Sequence, residues 1–294
     1  MHSLMYALVG EQPLPNLLPV RFLEPHTTVL VPTDRTERVS QRLRGLLPQT
    51  RLLSVDPYDI AQIEQKMQQD FDAQPQAYDQ VVFNLTWGTK AMSIAAYRLA
   101  ERLQMPFLYF QTEGRRSLLY RYVWNDSSQP ILEHQQEIPG IISIQDYVQA
   151  HLGSYSVVGP AKNTGGAFEQ AIAAALGDAV DEVVLGVKLS GALDVDLMVR
   201  IGNRVAVVEA KTGGASNSKK GIDQLNSIAG REYLGIYTAK FLVVDQRWDH
   251  TRSNLRELAE ARNITLLELP SYSADQVISD DEVRQLRAAV QAKL

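Results

Sequence analysis

Short apolar runs alternate with amphipathic stretches along the first half of the chain. Runs of strand length are followed by segments whose apolar positions recur at helical spacing, as in RTERVSQRLRGLL and TKAMSIAAYRLAERL. This alternation predicts a parallel sheet covered by helices on both faces, with ligands bound beyond the carboxyl ends of the strands. The predicted strands are 5–10, 27–32, 51–55, 78–85 and 106–112, and the predicted helices are 35–47, 57–71 and 89–103.

The second half has a different order of elements. A helix precedes three closely spaced strands, and the pair Gly202-Asn203 between the last two is typical of a hairpin turn. Helix, strand, helix, strand and a final helix follow. The predicted helices are 164–177, 220–234, 251–263 and 280–294, and the predicted strands are 181–189, 193–201, 204–210, 240–245 and 264–269.

A polar region, 127–143, separates the two patterns. It contains Pro130 and the pair Pro139-Gly140, which interrupt regular structure. We therefore predict two α/β domains, residues 1–140 and 141–294, with a short linking helix at the start of the second.

Composition excludes several kinds of chemistry. The 294 residues are 45% apolar and 21% charged, and they include no cysteine. Disulfides, thiolate metal sites and cysteine nucleophiles are therefore excluded, and a reducing cytoplasm is expected. No apolar run approaches the ~18 residues of a membrane span, and no leader peptide is expected. Because the net charge is −5, contact with nucleic acid requires a local basic patch, for which 211–221 is the candidate.

Charged residues enter two of the apolar strands in the second half. The run Val205 to Val208 leads into Glu209 and Lys211, which share one face of a strand because side chains alternate. Asp194 and Asp196 share a face of the preceding strand. Burying such a cluster is costly unless a divalent cation such as Mg²⁺ or Mn²⁺ compensates the carboxylates. A lysine beside the cation can hold a phosphate oxygen or position an attacking water.

These segments resemble the core of PD-(D/E)xK nucleases, with FEQ, LDVDLMV and VVEAKTG as successive motifs. The resemblance implies a restriction-endonuclease-like fold and a metal site formed by Asp196, Glu209 and Ala210. It makes Lys211 the charge-stabilising or water-positioning residue. Either Asp194 or Asp196 can be the family's aspartate, and Asp196 is preferred because it leads into the apolar run LMV. The remaining implied catalytic-site residues are Glu169, which completes the acidic cluster, and Gln224, a polar residue facing the site.

A second candidate site follows the fourth predicted strand. NLTWGTKAM, residues 84–92, ends a buried strand and opens a helix, where backbone amides and Lys90 attract phosphate. The upstream glycine of a Walker A loop is missing. The alternative interpretation is a plain helix cap with Lys90 in solvent. An exposed Trp87 could stack on a base.

This loop is similar to the Asn-x-Thr-Gly-Gly-Thr-Lys loop of one branch of CARF domains, the Rossmann-like sensors of cyclic oligoadenylates. Trp87 replaces the usual first glycine. LVGEQPLPNLLP, 8–19, and LVPTDRT, 30–36, resemble the family's loops after strands one and two. The resemblance implies a ligand site formed by Gly10, Pro13, Leu14, Thr33, Asp34, Thr36, Thr86, Trp87, Gly88, Thr89 and Lys90.

Together, the two halves resemble the cyclic-oligoadenylate-activated ancillary nucleases of type III CRISPR systems. The resemblance implies a homodimer, a cyclic oligoadenylate activator (cyclic tetra-adenylate favoured) and metal-dependent cleavage of DNA, RNA or both. Two alternatives remain open. One is a restriction or repair endonuclease with another N-terminal ligand. The other is a signal-binding module with an inactive nuclease fold.

Overall fold

The structure, a computed structural model, describes residues 2–73, 78–190, 193–230, 233–248 and 253–294. The chain divides into two compact units, Met1–Ile141 and Ile142–Leu294, and each has its own sheet. No helix in the described ranges has the length and apolar character needed to cross a membrane.

The first unit contains a seven-stranded sheet of order β3-β2-β1-β4-β5-β6-β7. The first five strands along the chain pair in parallel with one another, as the alternating pattern predicted, whereas β6 pairs antiparallel with both β5 and β7. The strands are β1 Ser3–Leu8, β2 Thr27–Val31, β3 Thr50–Leu52, β4 Gln80–Asn84, β5 Phe107–Glu113, β6 Arg116–Trp124 and β7 Pro130–Ile138. The helices are α1 Leu14–Leu23, α2 Glu37–Leu46, α3 Ile60–Asp72 and α4 Lys90–Leu103.

Three elements of this unit differ from the prediction. Strand β6 was not among the predicted strands. Strand β7 occupies the polar region expected to be irregular; it is an edge strand whose first eight residues, including Ile131 and Leu132, are exposed, so its sequence shows no buried face. Helix α1 begins inside the segment 8–19 that was expected to be a loop. Its residues from Pro15 to Val20 are all buried, so the sequence shows no amphipathic period there.

The second unit contains a six-stranded sheet of order β13-β12-β11-β10-β9-β8. The predicted three-strand meander is present as β9, β10 and β11, and β11, β12 and β13 are parallel. The strands are β8 Ser156–Val157, β9 Glu182–Ser190, β10 Leu193–Ile201, β11 Arg204–Lys211, β12 Ala239–Val244 and β13 Ile264–Glu268. The helices are α5 Ile144–Leu152, α6 Thr164–Leu176, α7 Lys220–Ile228, α8 Ser253–Ala261, α9 Pro270–Asp275 and α10 Asp280–Lys293.

Helix α7 is shorter than predicted. It ends at Ile228, where the chain turns at Ala229 and Gly230, and the predicted continuation through 231–232 lies outside the described residues. Helix α9 and strand β8 were not predicted, because each is too short to show a period.

The two faces of β11 have different surroundings. Ala206, Val208 and Ala210 lie in the apolar core with residues of α6 and α10. Glu209 and Lys211 therefore project from the opposite face, where α7 passes. The strand thus fixes a carboxylate and an ammonium on a rigid element, beside a helix.

Candidate functional site

An acid–lysine cluster lies at the carboxyl end of β11. Asp196 lies one residue before Leu197, which pairs with Val208, and Glu209 follows Val208. The Ala210 amide donates to Asp196 Oδ2 at 2.8 Å. The Lys211 ammonium forms an ion pair with Glu209 and lies 3.7 Å from Asp196 Oδ2. The structure therefore brings Asp196, Glu209 and Lys211 together, with Asp196 held by the backbone of the neighbouring strand.

Burial dominates the electrostatics of this cluster. It raises the pKa of Glu209 to about 7, and the Asp196 charge adds to the increase. Burial, followed by the Asp196 charge, also raises the pKa of Glu169 to about 7. The pKa of Asp196 is raised by burial against the opposing effect of Lys211. Burial lowers the pKa of Lys211, but Glu209 and Asp196 outweigh it and the pKa lies above its usual value. The positive charge of Lys211 therefore does not fully compensate the burial of these carboxylates.

Two of the acids, Asp196 and Glu209, have side chains suited to binding a divalent cation. Glu209 is 1% exposed, and its Oε2 has no hydrogen-bond partner among the described residues. A buried, unsatisfied carboxylate oxygen is costly, and a cation would satisfy it. Among the described residues, no three His, Asp or Glu side chains are grouped as a metal site. Asp196 and Glu209 therefore fit as a pair of ligands, and Glu169 acts on them through its charge.

The other predicted residues of this site take different positions. Asp194 is exposed on β10 opposite Lys188 of β9. It therefore does not lie with Asp196 beside the Lys211 ammonium. The Ala210 side chain lies in the core on the other face, which leaves only its main-chain oxygen as a ligand. Gln224 Oε1 on α7 is buried without a hydrogen-bond partner in the described part of the chain.

Helix α7 approaches the cluster closely at Gly221. A methyl group added there would lie 3.6 Å from Cγ of both Glu209 and Lys211, and 2.8 Å from Leu242 Cδ1. A larger residue would push α7 away from the sheet. Gly221 was not among the predicted site residues, although a glycine in the first turn of a helix after the Glu-x-Lys strand is a signal for such an approach.

The loops of the second candidate site lie in the first unit, at one end of its sheet. Strands β1, β2 and β4 are adjacent and parallel, so the loops that follow them meet at the same edge. Within these loops, Gly10, Pro13, Thr33 and Thr36 are buried, whereas Asp34 and Lys90 are exposed. The Thr33 amide donates to Thr36 Oγ1 at 2.9 Å. The buried threonines therefore shape the loop, and the exposed residues are available to a ligand.

Two buried asparagines join the first and third of these loops. Asn84 Nδ2 donates to the Pro15 carbonyl at 2.9 Å and to Asn16 Oδ1 at 3.2 Å. Asn84 Oδ1 accepts from the Thr86 amide at 3.2 Å. The role of Asn16 was not predicted. A polar asparagine within an otherwise apolar segment is the signal that could have indicated it.

Trp87 is half-buried, in contrast to the exposed indole that was expected. A methyl group added at Gly10 would lie 2.6 Å from Trp87 Cε3, so the indole covers this glycine. Gly88 follows with a φ of +90°, a conformation that only glycine adopts readily. Trp87 thus packs between the loops that follow β1 and β4. The indole fits there because Gly10, which it covers, has no side chain.

Helix α4 begins directly after this loop. The Thr89 side chain caps it by accepting from the Met92 amide at 3.2 Å. Lys90 is exposed at its first position, and the first turn has no acidic residue. The plain cap is therefore present, and beside it lie a free cationic side chain and a helix N-terminus suited to phosphate.

Comparison with known proteins identifies similar sequences and folds. The family described as the Card1 CARF domain matches residues 4–147. Can2 from Sulfobacillus thermosulfidooxidans, solved in complex with cyclic tetra-adenylate, is 14% identical with a TM-score of 0.74, and the match covers 100% of both chains. Protein VC1899 from Vibrio cholerae is 11% identical with a TM-score of 0.73, covering 99% of this chain and 98% of that one.

A third solved structure is a type III CRISPR defence DNA nuclease activated by cyclic oligoadenylate. It is 13% identical with a TM-score of 0.55, and the match covers 96% of this chain and 44% of that chain. No curated protein matches the sequence. At these identities the likeness is one of fold, and it confirms the predicted α/β class with a Rossmann-like first domain and a nuclease-like second domain.

Proposed function

Because residues 4–147 match the family described as the Card1 CARF domain, we propose that this chain is a cyclic-oligoadenylate-activated, divalent-metal-dependent nuclease of type III CRISPR defence. The observation that carries the proposal is the contact of Asp196, Glu209 and Lys211 at the end of a buried strand, in the same chain as that domain. Such a cluster is expensive to bury without a function.

The proposed chemistry is hydrolysis of a phosphodiester in DNA, RNA or both. Asp196 and Glu209 would hold Mg²⁺ or Mn²⁺, which would supply charge stabilisation and make a water molecule more acidic. The Lys211 ammonium, whose raised pKa keeps it charged at neutral pH, holds a phosphate oxygen or positions water. Glu169 on α6 adds negative charge, and Gln224 on α7 offers an amide oxygen that has no hydrogen-bond partner within the described ranges.

The proposed activator is a cyclic oligoadenylate, with cyclic tetra-adenylate favoured because Can2 was solved with that ring. Lys90 and the amides of 86–90 meet ring phosphates, Asp34 lies at the rim and Trp87 lies near a base. A symmetric ring suits a two-fold pair of such pockets, so we propose a homodimer. We also propose a cytoplasmic location, which the absence of cysteine from the sequence supports.

The decisive experiment measures cleavage of labelled DNA and RNA with Mg²⁺ or Mn²⁺, with and without cyclic tetra-adenylate, for wild type and Glu209→Gln. Cleavage that requires metal, ring and Glu209 is the expected result. Cleavage without any ring would favour the restriction or repair endonuclease instead. Ring binding without cleavage of either substrate would favour an inactive nuclease fold that serves as a binding module.

A further inference from the structure

A buried carboxylate outside the proposed metal site lies at the end of β12. Asp245 is 5% exposed and follows Val244, which pairs with Lys211 of β11. Burying a carboxylate requires hydrogen bonds in compensation. Among the described residues, the groups that donate to the Asp245 carboxylate belong to a single segment, the turn 212–217 that directly follows Lys211.

The hydrogen bonds between Asp245 and this turn are specific. Its two oxygens lie 3.1 and 2.9 Å from the Gly213 amide. Ser216 Oγ lies 2.6 Å from Asp245 Oδ1 and 2.7 Å from the Lys211 carbonyl. Gly213 has a φ of +55°, so the turn needs its glycine. The Asp245 carboxylate therefore links Gly213 and Ser216, two residues of the turn.

The same residues also hold the main chain of Lys211. The Asp245 amide donates to the Lys211 carbonyl at 3.2 Å. On the far side of the turn, the Trp248 indole donates to the Ser216 carbonyl at 2.9 Å. Lys211 is the last residue of β11, where strands commonly fray. The Asp245 contacts keep this end in place.

The turn also determines where α7 begins. The helix starts at Lys220, and Gly221 in its first turn lies directly over Glu209 and Lys211. A turn released from Asp245 would loosen both the end of β11 and the helix beside it. The end of β11 and the start of α7 are thus both connected to the Asp245 carboxylate.

We propose that Asp245 is a positioning residue for Lys211. By closing the turn 212–217, it fixes the direction from which the Lys211 ammonium reaches a phosphate oxygen. This inference rests on the proposed nuclease function. The Asp245 carboxylate accepts from Gly213 and Ser216 and is not one of the proposed cation ligands. It should therefore act on the rate of chemistry rather than on binding of substrate or activator.

The test is a graded series of variants. Asp245→Ala removes both acceptor oxygens, Asp245→Asn keeps one, and Ser216→Ala removes the hydroxyl that contacts both Asp245 and Lys211. Glu282→Ala is the matched control, since Glu282 accepts from Ser271 and Ser279 in the same unit but touches no residue of the cluster. The measurements are kcat, KM and the activator concentration for half-maximal cleavage, each on folded protein verified by circular dichroism.

We expect kcat to fall at least ~10-fold in Asp245→Ala and less in Asp245→Asn and Ser216→Ala, while KM and half-activation stay within about twofold. Hydrogen exchange at Gly213 should quicken in the same order. Should Asp245→Ala not fold, the other two variants carry the test.

Two results would overturn the role of Asp245 alone. One is an active wild type with unchanged kcat in the folded variants. The other is an equal loss of kcat in Glu282→Ala, which would indicate general loosening of the unit. A wild type that cleaves nothing in the presence of ring and metal would instead remove the proposed function, and the role of Asp245 with it.

Discussion

Glu209 and Asp196 are neighbours on two strands, and their placement explains why one aspartate is preferred over the other. The sequence offered Asp194 and Asp196 on one face of the same strand. Asp196 contacts the Ala210 amide, whereas Asp194 is exposed. The strand period could predict the shared face. It could not predict which acid meets Glu209, because that depends on the register and on the bulge at Leu193–Asp194.

The two acids should be equally necessary for cleavage. Asp196→Asn and Glu209→Gln should each reduce cleavage to background, since one carboxylate leaves too few ligands for the cation. Asp194→Asn is the matched control and should keep activity within a few-fold. A gel assay with labelled substrate at saturating activator distinguishes them. Loss of activity in Asp194→Asn with a normal Asp196→Asn would reverse the assignment of the two aspartates.

Lys211 should act on chemistry and not on metal affinity. Lys211→Ala should keep metal-dependent thermal stabilisation, because both carboxylates remain. It should cleave at least ~100-fold more slowly, as expected when one electrostatic stabiliser of a transition state is removed. Lys188→Ala, an exposed lysine on β9, provides the control. Turnover near that of wild type in Lys211→Ala would refute the role given to this ammonium.

At the scale of elements, long periodic segments were predictable and buried or edge elements were not. Helices α3, α4, α6 and α10 show a clear apolar stripe or cap, and their predicted bounds lie within a few residues of the observed ones. Helix α1 is buried from Pro15 to Val20, and the first eight residues of β7 are exposed, so neither segment shows an alternation of polar and apolar positions. Tertiary surroundings, rather than local pattern, determine such elements.

The loops after β1 and β4 should move together. Gly10→Ala places a methyl group 2.6 Å from Trp87 Cε3, so the indole must shift and carry the loop with it. We expect weaker binding of cyclic tetra-adenylate by calorimetry and a changed tryptophan fluorescence in the free protein. Gly45→Ala, where an added methyl group meets nothing within 4 Å, is the control. Unchanged fluorescence and affinity in Gly10→Ala would contradict the observed packing.

The cap of α10 should make stability depend on pH. Burial raises the pKa of Glu282, but hydrogen bonds from Ser271 and Ser279 outweigh it, and the pKa lies below its usual value. A carboxyl whose folded pKa is depressed stabilises the protein above its unfolded pKa, and this contribution is lost as pH falls through the folded value. Glu282→Gln should therefore cost about 1 kcal/mol near neutral pH.

Urea unfolding at about pH 7 and about pH 3.5 measures this dependence. The difference in unfolding free energy between wild type and Glu282→Gln should shrink at the lower pH. The exposed Glu260 on α8 supplies a control, and Glu260→Gln should show no such change. A difference that stays constant or grows on acidification would contradict the role of the cap.

At the scale of the whole molecule, the order of two domains was more informative than either domain alone. Glu-x-Lys is a common tripeptide, and a lysine at a helix start is an ordinary cap. Here, both features occur at the ends of buried strands, in two successive α/β units. The family match and the fold shared with Can2 support this order of domains. Asp245 could not be assigned in advance, because its partners Gly213 and Ser216 are distant in sequence.

The proposed sensor site and the proposed cleavage site lie in different units, so a change in one should be separable from the other. Lys90 is exposed at the start of α4 in the first unit, and Glu209 is buried in the second. Ring binding can activate cleavage only if it favours the active arrangement over the resting one. A weakened sensor should therefore be rescued by more activator, whereas a broken acid cluster should not.

The most direct test of the central claim is an activator titration of cleavage by Lys90→Ala, paired with calorimetry on the same protein. Weaker affinity for cyclic tetra-adenylate and a higher half-activating concentration are predicted. At saturating ring the cleavage rate should return towards that of wild type, while Glu209→Gln binds the ring normally and stays inactive. Unchanged ring affinity together with lost cleavage in Lys90→Ala would contradict the assignment of this loop as the sensor.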